Sequence, residues 1–513
     1  MQQRSMLVVK RNLAANVAGK AWSAAISLAV VPVYLHILGI EIYGLIGFYV
    51  SMTAVLSLLD LGLGTALNRQ FAQYSVTPGK EAGMGDLLRT LEVIYWLVGI
   101  AVGAAVVAAA PWFALHWFQS SRLHAEDLAE IIILMGIALA CQWPRALYSG
   151  GLLGMQKQVL QNTVSVFFVT LLNAGGVLVI WKVAPTLHAF LSWQIVVNLS
   201  ESVVTGAILW KSLPRARRRP HFDAALLRTV WRFAVGMAAI SVTAVALTQL
   251  DKIILSKILT LEAYGYYMLA WRLTTGLYYI VLPANTAFFP RFSQLVALGD
   301  KNELARLYHR SVQFLSVALL PITVMFVLFP EPILTLWTWN PVVAARSSDL
   351  LALLVLGTAL NGLMNLPLAL QLAYGSTRLM FFYNLVAVVA MGPLIYRLTF
   401  IYGVAGAAWL WLALNAGYVF VLLPLMHRRV LQGHLREWYV TDVGTPLLAA
   451  LSTALACKYI FPAPVTGAAL VAYMAVCTTV VLLTAAVAAP QTRALLRHWV
   501  CVISRRALLN MRG

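Results

Sequence analysis

Of 513 residues, 61% are hydrophobic and only 11% are charged, against roughly 25% charged in soluble domains; the chain reads as an integral membrane protein. The net charge of +19 does not call for a nucleic-acid partner, because the basic residues sit in short links between apolar runs, as the positive-inside effect requires. Cys141, Cys457, Cys477 and Cys501 have neither paired spacing nor accompanying histidines, so neither a disulfide framework nor a metal site is expected.

A span needs about 20 apolar residues, and about fourteen such segments follow one another. They are residues 13–38, 43–67, 88–110, 129–153, 159–181, 187–209, 233–257, 264–289, 311–330, 350–372, 379–396, 403–426, 443–461 and 466–488. The fold class is all-α integral membrane. The first segment is about twice the length of a signal-peptide core and lacks a small-residue cleavage site, so it is kept as a spanning helix. After the third and ninth spans come the longest external loops, 111–127 and 331–349, whose Trp112, Trp117, Trp337 and Trp339 suit interfacial anchoring. Lys211, Arg215, Arg217, Arg218, Arg219, Arg228 and Arg232 crowd the link between spans six and seven, where they face anionic headgroups. A cytoplasmic amino terminus puts most of the Lys and Arg on the cytoplasmic side and both termini inside the cell. Pro144 and Pro367 fall at matching places in two spans and are candidate hinges.

A stretch of the chain recurs. Ile37 to Gly44 returns as Ile258 to Gly265, keeping the acid, tyrosine and glycine of Glu41, Tyr43 and Gly44 in Glu262, Tyr264 and Gly265. Arg69 with Gln73 is echoed by Arg291 with Gln294, and Gly154 with Lys157 by Gly375 with Arg378. This is a duplicated unit with an even number of spans, giving two halves of the same orientation and a cavity between them. The expected organisation is a six-helix bundle over 1–209, a basic linker over 210–232, a second six-helix bundle over 233–426, and two extra spans with a basic tail over 427–513.

Polar residues at helical spacing put a hydrophilic face on several spans, and lipid cannot be what that face sees. The first span carries Asn16, Lys20, Ser23, Ser27 and Tyr34; the second Tyr49, Thr53, Ser57, Asp60 and Gly64; the sixth Gln194, Asn198, Glu201, Ser202 and Thr205. The seventh carries Ser241, Thr248 and Lys252 beside Asp251, and the eighth Arg272, Thr275 and Tyr279. A charge at a helix centre costs about 2.5 to 3.5 kcal/mol, which singles out Arg272 and Glu201, with an interhelical ion pair as the structural alternative for each. Lys20, Arg145 and Lys252 lie nearer span ends, where snorkelling is the alternative, and Asp60 can simply fix a helix end before Gly62 and Gly64. No sugar-nucleotide motif, no Walker loop and no His/Glu metal set occurs, and no loop is large enough for a catalytic domain. An enzyme, a polysaccharide polymerase or ligase included, is therefore not expected, nor is a cofactor.

Tyr34 to Gly44, Leu58-Leu59-Asp60-Leu61-Gly62, Arg69, Leu250 to Leu255 and Glu262 to Tyr267 together resemble the polysaccharide-exporter branch of the multidrug/oligosaccharidyl-lipid/polysaccharide (MOP) flippase superfamily, the Wzx-type flippases. The resemblance implies export of an undecaprenyl-diphosphate-linked oligosaccharide across a bacterial inner membrane, with membrane lipids, H⁺ or Na⁺, a polysaccharide polymerase and a chain-length regulator as implied partners. It also implies two V-shaped bundles with a cleft formed by spans one, two, seven and eight. Spans thirteen and fourteen are implied to hold the lipid tail, as extra helices do in lipid II flippases. A lipid II-type flippase and a cation-coupled multidrug antiporter of the same superfamily are the alternatives. Since a guanidinium meets phosphate oxygens bidentately, the diphosphate is assigned to Arg272, Lys20 and Lys252, with Arg145, Arg69 and Arg291 behind them. Asp60, Asp251 and Glu201 are the candidate coupling acids, and Asn16, Ser23, Ser27, Tyr34, Asn198, Thr248, Thr275 and Tyr279 the polar lining.

Overall fold

In the computed structural model the described residues are 16, 18–60, 62–75, 77, 81–120, 122–214, 219–376, 378–461, 467–494 and 497. They are helical almost throughout, as the apolar runs require: α1 (Ala18–Leu38), α2 (Ile40–Asp60), α3 (Leu63–Tyr74), α4 (Glu81–His116), α5 (Ala125–Gly154), α6 (Gln158–Lys182), α7 (Leu187–Ser212), α8 (Ala224–Ile258) and α9 (Leu261–Thr274). There follow α10 (Tyr278–Leu298), α11 (Lys301–Leu328), α12 (Pro330–Thr338), α13 (Pro341–Ala373), α14 (Arg378–Tyr402), α15 (Val404–Val430), α16 (Leu435–Ile460) and α17 (Gly467–Ala488). Among the described residues, 11 helices are long and apolar enough to cross a membrane. Helices α7, α8 and α9 with α10 stand where spans six, seven and eight are expected, but the number fourteen is not reached on length and hydropathy alone.

The two expected tryptophan-rich loops are largely helical. Helix α4 continues through Pro111 to His116, and residues 331–349 fold into α12 and the first turns of α13. The cause is capping chemistry that apolar-run counting does not see. Pro330 and Pro341 open their helices without losing a hydrogen bond, and the Asn340 side chain accepts from the Val342 and Val343 amides. Pro144 and Pro367 also differ: Pro144 sits in a turn that divides α5, whereas Pro367 lies inside α13.

The chain divides into two compact units, Met1–Met268 and Leu269–Gly513. The division falls inside α9, because α8 packs on α2, α3 and α4 of the first unit. Linker residues 215–218, with Arg215, Arg217 and Arg218, lie outside the described residues, as do the side chains of Arg228, Arg232 and Ser241. The first unit is centred on α3, α4, α5 and α7, where Leu67, Phe71, Leu88, Leu91, Leu147 and Leu152 are fully covered. In the second, α16 and α17 pack on α11 through Ala450, Ala454, Val481 and Ala485, small and slender side chains that let helices approach without a hydrophobic drive.

The repeated motif meets its own copy. Gly44 of α2 and Gly265 of α9 face each other where the two helices cross. A Cβ on Gly44 would stand 2.7 Å from the Leu261 carbonyl oxygen, and one on Gly265 closer still to that of Ile40. Beside the crossing, the Ser120 hydroxyl donates to Glu41 (2.7 Å), and the Leu261 amide donates to the Gln119 carbonyl (2.9 Å).

Candidate functional site

In the first unit the stripes of the second and sixth expected spans meet α5 in one polar seam. Arg145 Nη1 lies 3.0 Å from Glu201 Oε2. Gln142 donates to Thr53 (3.2 Å), Asn198 to the Tyr49 hydroxyl (3.4 Å), and Ser202 to the Cys141 carbonyl (2.7 Å). Glu201 is 5% exposed and Arg145 38%, so the carboxylate anchors the seam while the guanidinium reaches out of it. Glu201 therefore realises the ion-pair alternative, with a partner the stripe itself could not name.

Just before α1, Asn16 bonds Gln158 (3.2 Å) and Asn162 (2.5 Å) of α6, and within α1 the Tyr34 hydroxyl donates to the Asn173 carbonyl (3.1 Å). Ser23 and Ser27 instead donate to carbonyls one turn back in their own helix, as do Thr248 in α8 and Thr275 beyond α9; this self-satisfaction lets a hydroxyl sit in an apolar helix without a polar neighbour. Lys20 is exposed and has no ion-pair partner among the described residues.

Lys252 is enclosed. Its ammonium lies 3.0 Å from both oxygens of Asp251 and 2.6 Å from the Thr248 carbonyl, and the Tyr267 hydroxyl donates to the same carboxylate at 2.5 Å. Asp251 and Lys252 thus neutralise each other in the interior. Asp60 accepts from the Tyr95 hydroxyl at the end of α2. Arg69 lies exposed on α3.

In the second unit Arg272 is half-buried, and among the described residues it has neither a carboxylate within ion-pair distance nor a side-chain hydrogen bond. Tyr279 is exposed, and Arg291, also exposed, donates to Gln294 (3.0 Å). A polar line not anticipated runs nearby in the chain's fold: the Tyr278 hydroxyl donates to Asn361 (3.0 Å), Asn361 to Asn415 (2.9 Å), and Asn285 approaches Asn365 (3.5 Å). Asn361 and Asn365 stand one helical turn apart, a signal the stripe criterion could have caught. Glu92 was missed for the opposite reason, being a lone acid in its span; it accepts from Tyr148 (2.7 Å), Trp210 (3.1 Å) and Arg89 (3.0 Å). An apolar recess of about 380 Å³ opens between α12 and α17, lined by Leu336, Trp339, Pro341, Leu470 and Val471.

The profile of the family described as polysaccharide biosynthesis protein matches residues 9–296, over half the chain, and that of MatE matches residues 237–396. No curated protein matches. Among solved structures, the lipid II flippase MurJ in an inward closed conformation is similar with a TM-score of 0.71 at 14% identity, over 94% of this chain and 99% of that one. An inward-facing MATE family multidrug resistance transporter of the MOP superfamily is similar at 0.62 and 15% identity, over 80% and 94%. A MOP superfamily transporter from Pyrococcus furiosus is similar at 0.55 and 15%, over 82% and 93%. The fold is that of MOP superfamily transporters, and the chain is a multi-pass membrane protein.

Proposed function

The chain belongs to the polysaccharide biosynthesis protein family, and from that premise we propose that it is a Wzx-type flippase. It carries an undecaprenyl-diphosphate-linked oligosaccharide from the cytoplasmic to the periplasmic leaflet of a bacterial inner membrane by alternating access, in the biosynthesis of O-antigen or another surface polysaccharide. Each sugar hydroxyl costs a few kcal/mol to bury without a partner, so the head group needs a polar path. Within helices otherwise apolar, the partly exposed Arg145 of the first unit, and Tyr278, Asn361 and Asn365 of the second, offer polar surface, held in place by the buried Tyr49, Asn198, Glu201 and Asn415. The lipid tail stays in hydrocarbon, with the recess beside α17 as a surface for it.

Arg272 carries the reading. Half-buried in the last turn of α9 and without a carboxylate partner among the described residues, its guanidinium is open to an anion that it can meet bidentately; a diphosphate is such an anion. In the first unit, Lys20, exposed and without an ion-pair partner among the described residues, is a separate candidate for phosphate, whereas Arg145 offers only the part of its guanidinium that Glu201 leaves open and Lys252 acts on its helix rather than on substrate. In a strain whose own flippase is deleted, Arg272→Ala should lower surface polysaccharide at least tenfold and Arg272→Lys should keep a measurable fraction. Full export by both variants would remove Arg272 from the site. The fold likeness to a lipid II flippase across 94% of the chain favours lipid II as a second substrate reading. Rescue of a strain depleted of its lipid II flippase, without rescue of surface polysaccharide, would select it.

A further inference from the structure

Three ligating side chains distant in sequence converge in the second unit. His309, on the third turn of α11, is nearly covered, and its Nδ1 lies 2.5 Å from Oδ2 of Asp442, itself 1% exposed. With Nδ1–H donating a hydrogen bond to that carboxylate, Nε2 presents its lone pair away from it. Nε2 is 2.9 Å from His434 Nδ1 and 3.2 Å from Glu437 Oε2, and the last two atoms are 3.4 Å apart. A tetrahedral zinc ion with bonds of about 2.0 to 2.1 Å requires ligand-to-ligand edges of about 3.3 Å. The observed triangle meets that within a few tenths of an ångström.

The local fold explains the convergence. His434 and Glu437 are three residues apart at the start of α16, so one helical turn presents both on one face. The π-helical turn Trp438–Gly444 that follows sets Asp442 against His309, and such turns frequently mark functional positions. A buried carboxylate on the far nitrogen of a ligating imidazole is the usual support of a metal-bound histidine. His434 and Glu437 are 38% and 48% exposed, which gives a cation its entry path and leaves a fourth position to water.

We propose that His309 Nε2, His434 Nδ1 and the Glu437 carboxylate form a binding site for a divalent transition-metal ion, zinc by ligand type and spacing, with Asp442 positioning His309. Calcium and magnesium, which ask for six or more oxygen ligands or for several retained waters, do not fit two imidazoles and one carboxylate. The ion ties the start of α16 to α11, fastening the helix pair that lies outside the duplication to the second unit. This site does not depend on what the protein transports.

The test uses the full chain in detergent, without a polyhistidine tag, stripped of metal by a chelator and titrated with zinc. One equivalent should bind, and cobalt should give the intense visible bands of a four-coordinate ion. A hundredfold excess of magnesium should not compete. His434→Ala and Glu437→Gln, both at partly exposed positions, should weaken zinc binding at least tenfold, and Asp442→Asn about 10- to 100-fold through its neighbour. Zinc should raise the melting temperature of the parent chain and leave that of His434→Ala unchanged. Absence of stoichiometric zinc in the parent chain, the result expected of a group joined by protons alone, overturns the site, as does unaltered binding in both ligand variants.

Discussion

Glu201 and Arg145 show how a charge survives inside a membrane helix. The carboxylate is covered and the guanidinium only partly so, hence removing the cation strands a buried anion, while neutralising the anion frees a cation that still reaches polar surroundings. Arg145→Ala should therefore lower stability by about 1 to 3 kcal/mol, Glu201→Gln by less, and the double variant should recover part of the loss. Thermal melts of the purified variants read this order; a double variant as unstable as the sum of the singles would leave the pair without coupling. The polar faces themselves were legible in the sequence, since Asn198, Glu201 and Ser202 do lie buried on one side of α7. Their partners were not, because a stripe describes one helix and the partner belongs to another. The same blindness made Lys252 look available although Asp251 occupies it, and it hid His309, whose neighbours lie 125 residues and more away.

At the scale of helices, run length located most of the long elements, and capping residues decided what it could not. Pro330, Asn340 and Pro341 turn an expected loop into helix. The repeat was legible as a pattern, but its physical content is the crossing of α2 and α9 at Gly44 and Gly265, where backbone meets backbone. Backbone cannot step aside as a flexible side chain can. Gly265→Ala should thus cost about 1 to 3 kcal/mol, whereas Gly392→Ala, where an added Cβ meets nothing within 4 Å, should be neutral or raise stability by up to about 1 kcal/mol through helix propensity. Denaturation midpoints of the two variants, measured side by side, check the contrast; equal midpoints would mean that the crossing yields without strain.

For the whole molecule, the proposed function asks what would drive an anionic head group outward. An inside-negative membrane favours that direction by about 2.3 kcal/mol per charge per 100 mV, so two phosphate charges gain about twice that without any coupled ion. The acids that could carry a proton or Na⁺ are each engaged: Asp60 with Tyr95, Asp251 with Lys252 and Tyr267, Glu201 with Arg145. Freeing Asp251 would first require breaking a buried contact, and freeing Asp60 or Glu201 a partly buried one. On our reading of the function, the potential suffices, and proteoliposomes bearing the lipid-linked substrate test it. A potassium diffusion potential set with valinomycin should increase transport severalfold, an imposed pH or Na⁺ gradient at zero potential should not, and Asp60→Asn, Asp251→Asn and Glu201→Gln should keep the voltage response. Transport that follows an ion gradient, and loses that dependence in one of the three variants, would transfer the driving role to that carboxylate, because a gradient can act only through a group whose occupancy differs between the two sides of the cycle.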